Sequence, residues 1–307
     1  MSNLKPDSIL IVGTGALATL FATRLASVGV NVTMLGSWLE GLAALNHTGI
    51  KVEGEDRLVH IHATDNPADC QGMRFALVLV KSWQTERAAH QLSTCLTKDG
   101  VALTLQNGLG NDTILARMLG LRRVARGVTT LGATLIAPAL IRMGGDGPVS
   151  LEVHPRLGPL EKMIRLAGFD LHLVDNVQSL VWGKMVVSSA INPLTALLRV
   201  ENGELLNHPT TRTLMGELAC ETALVANKLG VGLPFRRPER EVNDVARRTA
   251  GNYSSMLQDV LRGSPTEIDA INGSIIQLAK DNGIEVPVNQ TVWSLVKAIP
   301  LRGKIKK

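Results

Sequence analysis

The first run of consecutive apolar residues, Ser8-Ile9-Leu10-Ile11-Val12, has the pattern of a strand buried on both faces of a parallel sheet. Leu17, Leu20, Phe21 and Leu25 then recur at helical spacing up to Gly29, a suitable C′ residue, and 30–35 reads as a second strand. Further apolar strands are predicted at 75–80 and 101–105, with a helix over about 84–95 between them. This alternation implies an α/β domain with a doubly wound sheet and right-handed crossovers. Between 50 and 64, Gly54-Glu55-Asp56 separates two β-like runs and predicts a hairpin, with His60 and His62 on one face of its second strand. Segment 127–141, a turn at 144–148 and the run to 153 read as additional strands, and 160–167 as a helix. From about 176 the period changes to long helical segments near 177–198, 209–230, 239–261, 265–282 and 289–298. The expected organisation is therefore a sheet domain over 1–175, an all-helical domain over 176–300, and a basic tail over 301–307.

Composition narrows the function classes. Hydrophobic residues make up 45% of the 307 and charged residues 19%, values of a folded globular chain rather than a disordered or fibrous one. Aromatics are only 3%, too few for base-stacking platforms. The net charge of +5 is mostly a tail effect, because Arg302, Lys304, Lys306 and Lys307 supply four of the positives. A nucleic-acid partner is therefore not expected. Cys70, Cys95 and Cys220 are widely spaced and form no C-x-x-C pair, so neither a disulfide framework nor a zinc cluster is indicated, and a reducing cytoplasm fits. His60 and His62 have no third candidate ligand nearby and read as exposed-face histidines. The uncharged stretches at 8–23 and 127–141 are too short to span a bilayer, and Asp7 with the glycines argues against a signal peptide.

Candidate chemistry falls in separate short segments. Gly13-Thr14-Gly15-Ala16-Leu17-Ala18 fits G-x-G-x-x-G/A between a buried strand and a helix, where backbone amides and the helix dipole receive a pyrophosphate. That context makes the sheet domain Rossmann-type; the plainer alternative is a glycine turn that binds nothing. At the end of the second strand, Leu35-Gly36-Ser37-Trp38 offers no acid to grip a ribose 2′-hydroxyl, which leans towards NADP, and no Arg to confirm it. In the second half, Lys184, Ser188 and Asn192 form one polar stripe on a helix that is otherwise apolar nearly all round. A desolvated ammonium is expensive without a partner, so the stripe should line a cleft; a snorkelling surface lysine is the alternative. Pro193 should disturb helical geometry at Asn192 and free a carbonyl one turn back. Ser264-Pro265-Thr266-Glu267 fits a capping box opening a helix. Asn107 and Lys81, each following a sheet strand, fall at the carboxyl edge where such sheets bind ligands, although Asn107 would also serve as a turn residue.

Taken in order, G-T-G-A-L-A at 13–18, V-K-S-W-Q at 80–84, Q-N-G-L-G at 106–110, W-G-K at 182–184, I-N-P-L-T-A-L at 191–197, E-N-G-E-L at 201–205, S-S-M-L-Q-D-V at 254–260 and T-E-I-D-A-I-N-G at 266–273 resemble the ketopantoate reductase (2-dehydropantoate 2-reductase) family. The resemblance implies NADPH-dependent reduction of 2-dehydropantoate to (R)-pantoate, towards pantothenate and coenzyme A. It implies a small 2-oxo acid as partner, no metal, no membrane, a cytoplasmic setting and a homodimer. By position Lys184 looks like the family's general acid, and Glu267 like its partner at cofactor and substrate. Asn107 and Lys81 match residues near the nicotinamide ribose, and Ala133 matches a further cofactor contact. Asn107, Lys184, Ser188, Asn192, Asn202 and Ser255 match substrate positions. Two residues depart from the family pattern: Ser188 stands where Asn is usual, and Ser37 where an Arg often holds the 2′-phosphate, leaving NADH open as the alternative. In the expected chemistry a hydride reaches the substrate's C2 and a protonated lysine stabilises and protonates the developing alkoxide. A reference pKa of ~10.4, reinforced by the glutamate, would keep that lysine charged near neutrality. The competing readings are a related reductase of another 2-oxo acid, which Ser188 motivates, and a non-catalytic nucleotide-binding sensor.

Overall fold

The computed structural model describes residues 8–300, which divide into two units: 8–106 with 111–177, and 107–110 with 178–300. The first unit carries twelve strands: β1 Ser8–Val12, β2 Asn31–Leu35, β3 Ile50–Val52, β4 Leu58–Val59, β5 His62–Thr64, β6 Met73–Val78, β7 Leu96–Thr104, β8 Val124–Thr129, β9 Gly132–Ala137, β10 Leu140–Gly145, β11 Val149–Glu152 and β12 Leu171–Val174. Its helices are α1 Ala16–Ser27, α2 Leu39–His47, α3 Thr85–Cys95, α4 Asn111–Leu119 and α5 Gly158–Leu166. Eight strands form the main sheet in the order β12-β11-β8-β7-β6-β1-β2-β5. It is parallel from β8 to β5. β11 then runs antiparallel to β8, and β12 parallel to β11.

The continuous apolar run of β1 is explained by what lies on its two faces. Ile9 and Ile11 enter one core with Phe21, Met34 and Leu103, while Leu10 and Val12 enter another with Ala76, Val78 and Leu92. A strand covered on both sides has no polar face to show, and the sequence pattern follows. The second core also holds Cys70 and Cys95, brought together although 25 positions apart in sequence, with the Cys95 thiol donating to the Pro67 carbonyl at 3.4 Å. Cys220 is a free, exposed thiol.

The hairpin expected between 50 and 64 forms only in part. β3 and β4 pair antiparallel, Ile50 opposite Val59, but His62 already starts β5 on the edge of the main sheet, beside β2. The two histidines therefore do not share a strand face; His60 and His62 are both exposed. The split has a cause: Asn46 accepts from the amide of Ala63 at 2.9 Å and donates to its carbonyl at 2.7 Å, which draws that residue to the main sheet. β3 and β4 instead join β10 and β9 in a second sheet of order β4-β3-β10-β9. Ala133, Leu135 and Met143 of this sheet pack with Leu17 and Leu20, so α1 is covered on the side away from the main sheet.

The second unit is helical: α6 Val177–Leu198, α7 Pro209–Lys228, α8 Pro238–Arg248, α9 Ser255–Arg262, α10 Ser274–Asp281 and α11 Pro287–Lys297. Two predicted helices are shorter than their apolar patterns. The segment 239–261 breaks at Gly251-Asn252, and α9 restarts where the Ser254 hydroxyl accepts from the Leu257 amide at 3.1 Å. The segment 265–282 begins only at Asp269, with a π turn, Asp269–Gly273, ahead of α10. Among the described residues no helix is long and apolar enough to cross a membrane.

Phe21 of α1 is fully buried and stacks on Phe169 with ring centroids 4.3 Å apart. Phe21→Ala is expected to lower the unfolding free energy by about 3–5 kcal/mol, read from the urea midpoint; a loss well under ~1 kcal/mol would show that the stack does not hold α1 to the sheet.

Candidate active site

In the first unit the glycine loop is shaped by close approaches. Gly13 has φ +128°, and a Cβ there would lie 2.9 Å from the Leu79 carbonyl oxygen, so only glycine fits without strain. Its amide donates to the Leu35 carbonyl at 2.8 Å, tying the loop to the end of β2. At Gly36 a Cβ would meet the Thr14 methyl at 2.5 Å. Gly15, at the N-cap of α1, differs: nothing stands within 4 Å of where its Cβ would be. No side chain caps α1 and no acid sits in its first turn. Free amides, a positive dipole end and open space at Gly15 are what a pyrophosphate needs. Ala18 is buried, which lets helix and strand pack closely.

The register places the other cofactor candidates of this unit along one edge. Val12 is level with Leu35 on one side and Val78 on the other. Ser37 follows β2 in an exposed bend, and Lys81 follows β6, half-buried, ahead of a 3₁₀ turn. Gln106 Nε2 donates to the Val80 carbonyl at 2.9 Å and to the Thr85 hydroxyl at 2.8 Å, holding the backbone beside Lys81. Glu40 is exposed in the first turn of α2. Ala133 lies apart from this edge, on β9 over α1. A groove of about 720 Å³ elsewhere on α1, lined by Arg24, Asp146 and Asp170 among others, is not at the glycine loop.

The second unit gathers the other candidates. Lys184 is the lone ionisable group on α6, in a stripe with Ser188 and Asn192 between buried Met185, Val186, Ser189 and Ile191. Burial pulls the Lys184 pKa down to about 8, and the charge of Glu267 opposes that only in part. The ordinary lysine value expected from sequence is thus corrected: desolvation outweighs the carboxylate. Glu267 is 5% exposed, and Asn107 Nδ2 donates to its Oε2 at 3.2 Å. The capping box does not form, because Pro265 and Thr266 are outside any helix and Glu267 turns its carboxylate to Asn107 instead. Segment 107–110 is seated on the π turn: the Leu109 amide donates to the Ala270 carbonyl at 3.2 Å. Gly108, at φ +86°, would place a Cβ 2.6 Å from that same oxygen.

Asn202 and Ser255 meet a common strip of chain. The Asn202 amide donates to the Asn252 carbonyl at 3.0 Å and its Nδ2 to the Thr249 hydroxyl at 2.9 Å, leaving buried Oδ1 without a partner. Ser254, one residue before Ser255, accepts from the Thr195 hydroxyl at 2.7 Å, which joins α9 to the later part of α6. Pro193 lies inside α6, which stays helical through Asn192 and runs on to Leu198 as the pattern predicts. The carbonyl it frees, that of Ser189, accepts from Asn272 Nδ2 at 3.0 Å. Asn272 was not singled out by the sequence; the signal available was an amide side chain directly after Ala270-Ile271, five residues on from Glu267. Among the described residues no group of three or more His, Cys, Asp or Glu could hold a metal ion.

Comparison with known proteins agrees along the chain. Residues 9–156 match the family model described as ketopantoate reductase PanE/ApbA, and residues 176–300 match its C-terminal model. The chain belongs to the ketopantoate reductase family. It is 34% identical to a 2-dehydropantoate 2-reductase of Archaeoglobus fulgidus, over 96% of this chain and 99% of that protein. The corresponding protein of Pyrococcus horikoshii is 33% identical over 94% and 96%. Among solved structures, a PanE/ApbA family ketopantoate reductase from Ralstonia eutropha superposes with a TM-score of 0.89 at 29% identity, covering 95% of this chain and 98% of that one. The fold, a family sheet domain followed by helices, is thereby shared with these relatives.

Gly108→Ala is expected to destabilise the protein by about 1–3 kcal/mol, from left-handed strain and collision with the Ala270 carbonyl. Chemical denaturation checks this, and a variant as stable as the parent would show that the loop is not tightly seated.

Proposed function

We propose that this protein reduces 2-dehydropantoate (ketopantoate) to (R)-pantoate with NADPH, a step towards pantothenate and coenzyme A. The observation that carries the reading is the buried carboxylate of Glu267, held by Asn107 and acting on the lone lysine of α6. A non-catalytic nucleotide sensor has no use for an ammonium kept desolvated opposite a carboxylate. The open glycine loop fits a nicotinamide cofactor: Gly13, Gly15 and Ala16 would hold the pyrophosphate and Ser37 would meet the adenosine ribose, while Lys81 and, by family resemblance, Asn107 would serve the nicotinamide end. When bound it supplies the hydride that reaches C2 of the substrate.

The residues of the chain do the rest. Lys184 donates a hydrogen bond to the C2 oxygen, stabilises the alkoxide as charge develops and passes it the Nζ proton. A pKa near 8 leaves the lysine mostly protonated at neutral pH yet a better acid than an ordinary lysine. Glu267 keeps the proton on Nζ before transfer, and Asn107 orients Glu267. Ser255 positions the substrate carboxylate, and Asn192 and Asn202 its hydroxyl end. Ser188, shorter than the usual asparagine, loosens that end and supports a second reading in which another 2-oxo acid is the better substrate. NADPH oxidation with a panel of 2-oxo acids decides: ketopantoate is expected among the best by kcat/KM, and its absence from that group would favour the second reading.

Lys184→Ala is expected to lower kcat by ~10² to 10⁴, about 3–5 kcal/mol, with little change in cofactor affinity. A rate within about threefold of the parent would remove Lys184 as the acid. Because reduction needs the protonated lysine, kcat/KM should be level below neutrality and fall as pH rises through about 8, a limb absent from Lys184→Ala.

Cofactor preference is expected to be NADPH over NADH by less than an arginine would give, since Ser37 offers only a hydroxyl and an amide to a 2′-phosphate. Ser37→Arg should strengthen it about tenfold, the lower end of a charge-assisted pair. If the parent favours NADH by more than about tenfold in kcat/KM, Glu40 or another acid reaches the ribose and the Ser37 reading is wrong.

A further inference from the structure

A proline inside a helix removes the amide that the carbonyl four residues earlier requires, and its ring crowds that carbonyl. In α6 the proline is Pro193 and the carbonyl belongs to Ser189, which is fully buried. Left unpaired, such a group costs about 1–3 kcal/mol. Instead Asn272 Nδ2 stands 3.0 Å from it. Asn272 is itself fully buried, in the π turn that follows Glu267. Its amide is held from the far side as well, donating to Asn289 Oδ1 at 2.9 Å. Asn289 donates to Glu221 at 2.8 Å, and Glu221 accepts the Val288 and Asn289 amides at the start of α11, both at 2.9 Å. A chain of polar groups, half-buried at Glu221 and fully buried at Asn289, Asn272 and Ser189, thus runs from α7 and α11 through the π turn to the middle of α6, between Ser188 and Asn192.

We infer that Asn272 is a positioning residue for the Lys184–Glu267 pair: by taking the Ser189 carbonyl that Pro193 leaves open, it sets where the Glu267 segment stands against α6. A hydrophobic residue of the same size would fill the space and set nothing. The inference rests on Lys184 being the acid. The charged groups around Lys184 make the effect readable. α6 itself carries no other ionisable residue. From the facing turn, Glu267 acts on Lys184, while Asp269 is engaged by Lys297 at 2.7 Å and Trp293 Nε1 at 2.8 Å. Glu221 is taken up by α11. Displacing Glu267 therefore leaves desolvation less opposed, and Lys184 gives up its proton at lower pH.

The test is a cycle of four proteins: parent, Asn272→Leu, Pro193→Ala and the double variant, in which the alanine amide returns a helical donor to Ser189. Asn272→Leu is expected to move the alkaline limb of kcat/KM down by at least about half a pH unit, and to lower kcat about tenfold with the KM for NADPH within twofold. Pro193→Ala alone, in which Asn272 can still share the carbonyl, should leave the limb in place, and the double variant should keep the shift of Asn272→Leu, because the returned helical donor satisfies the Ser189 carbonyl without tying the turn to α6. A limb unmoved in Asn272→Leu, or a double variant whose limb returns to that of the parent, overturns the proposal: the first because lost packing alone would lower stability without moving the limb, the second because an unpaired carbonyl and not the missing link would then be the cause. Urea unfolding of the same four proteins reads the link without activity: Asn272→Leu should cost less in the Pro193→Ala background, and strict additivity overturns it. If Asn272→Leu does not fold, recovery of folded protein in the double variant takes its place, and failure to recover counts against the link. A limb that persists in Lys184→Ala would instead sink the assignment of the acid, leaving the stability cycle to judge the Asn272–Ser189 bond.

Discussion

The constraint on which the helical unit turns is the cost of keeping one ammonium out of water. Lys184 sits on a helix whose other residues are uncharged, so the surrounding chain has to answer a buried positive charge or let it deprotonate. The answer is partial: Glu267 opposes the loss of the proton, yet desolvation wins and leaves a pKa of about 8, a balance at which the group can both hold and release a proton near neutrality. Much else serves that balance. The carboxylate is steadied by Asn107, Asn107 is carried by a loop that lies on the π turn, and the turn is anchored through Asn272.

The sheet unit obeys a different constraint, the absence of side chains. Gly13 and Gly36 let backbone and the Thr14 side chain come close, while Gly15 leaves room for something else. A second small sheet covers α1 from the other side, so the helix whose amides would receive the phosphates is gripped along both flanks. Rigid support of this kind fixes the direction of the amides before any ligand arrives.

Legibility in the sequence followed the range of the interaction responsible. β1 can be read because burial on both faces imprints every residue from Ile9 to Val12. The same holds for α6, where a long apolar helix makes its one polar stripe, Lys184, Ser188 and Asn192, stand out. What is hidden depends on partners distant in sequence. The pairing of β3 with β10 leaves no local mark, so the small sheet is not foreseen and the local pattern puts His62 on the wrong strand. Glu267 resembles a helix cap, since four residues cannot reveal that Asn107 is close by. The lysine's pKa cannot be read either, because composition does not report desolvation. Asn272 gains meaning only once the carbonyl released by Pro193 has a position.

Segment 107–110 belongs with the helices although both of its flanks belong with the sheet. The polypeptide therefore passes from one unit to the other three times, and no single cut separates them. A gene fragment starting at residue 177 would encode every helix of the second unit, α6 to α11, and still lack Asn107 and the Gly108 loop. Recombination that swapped the helical half onto another nucleotide-binding sheet would inherit a foreign loop against its π turn. In this architecture the helical half is complete only with four residues that the chain supplies from within the sheet half.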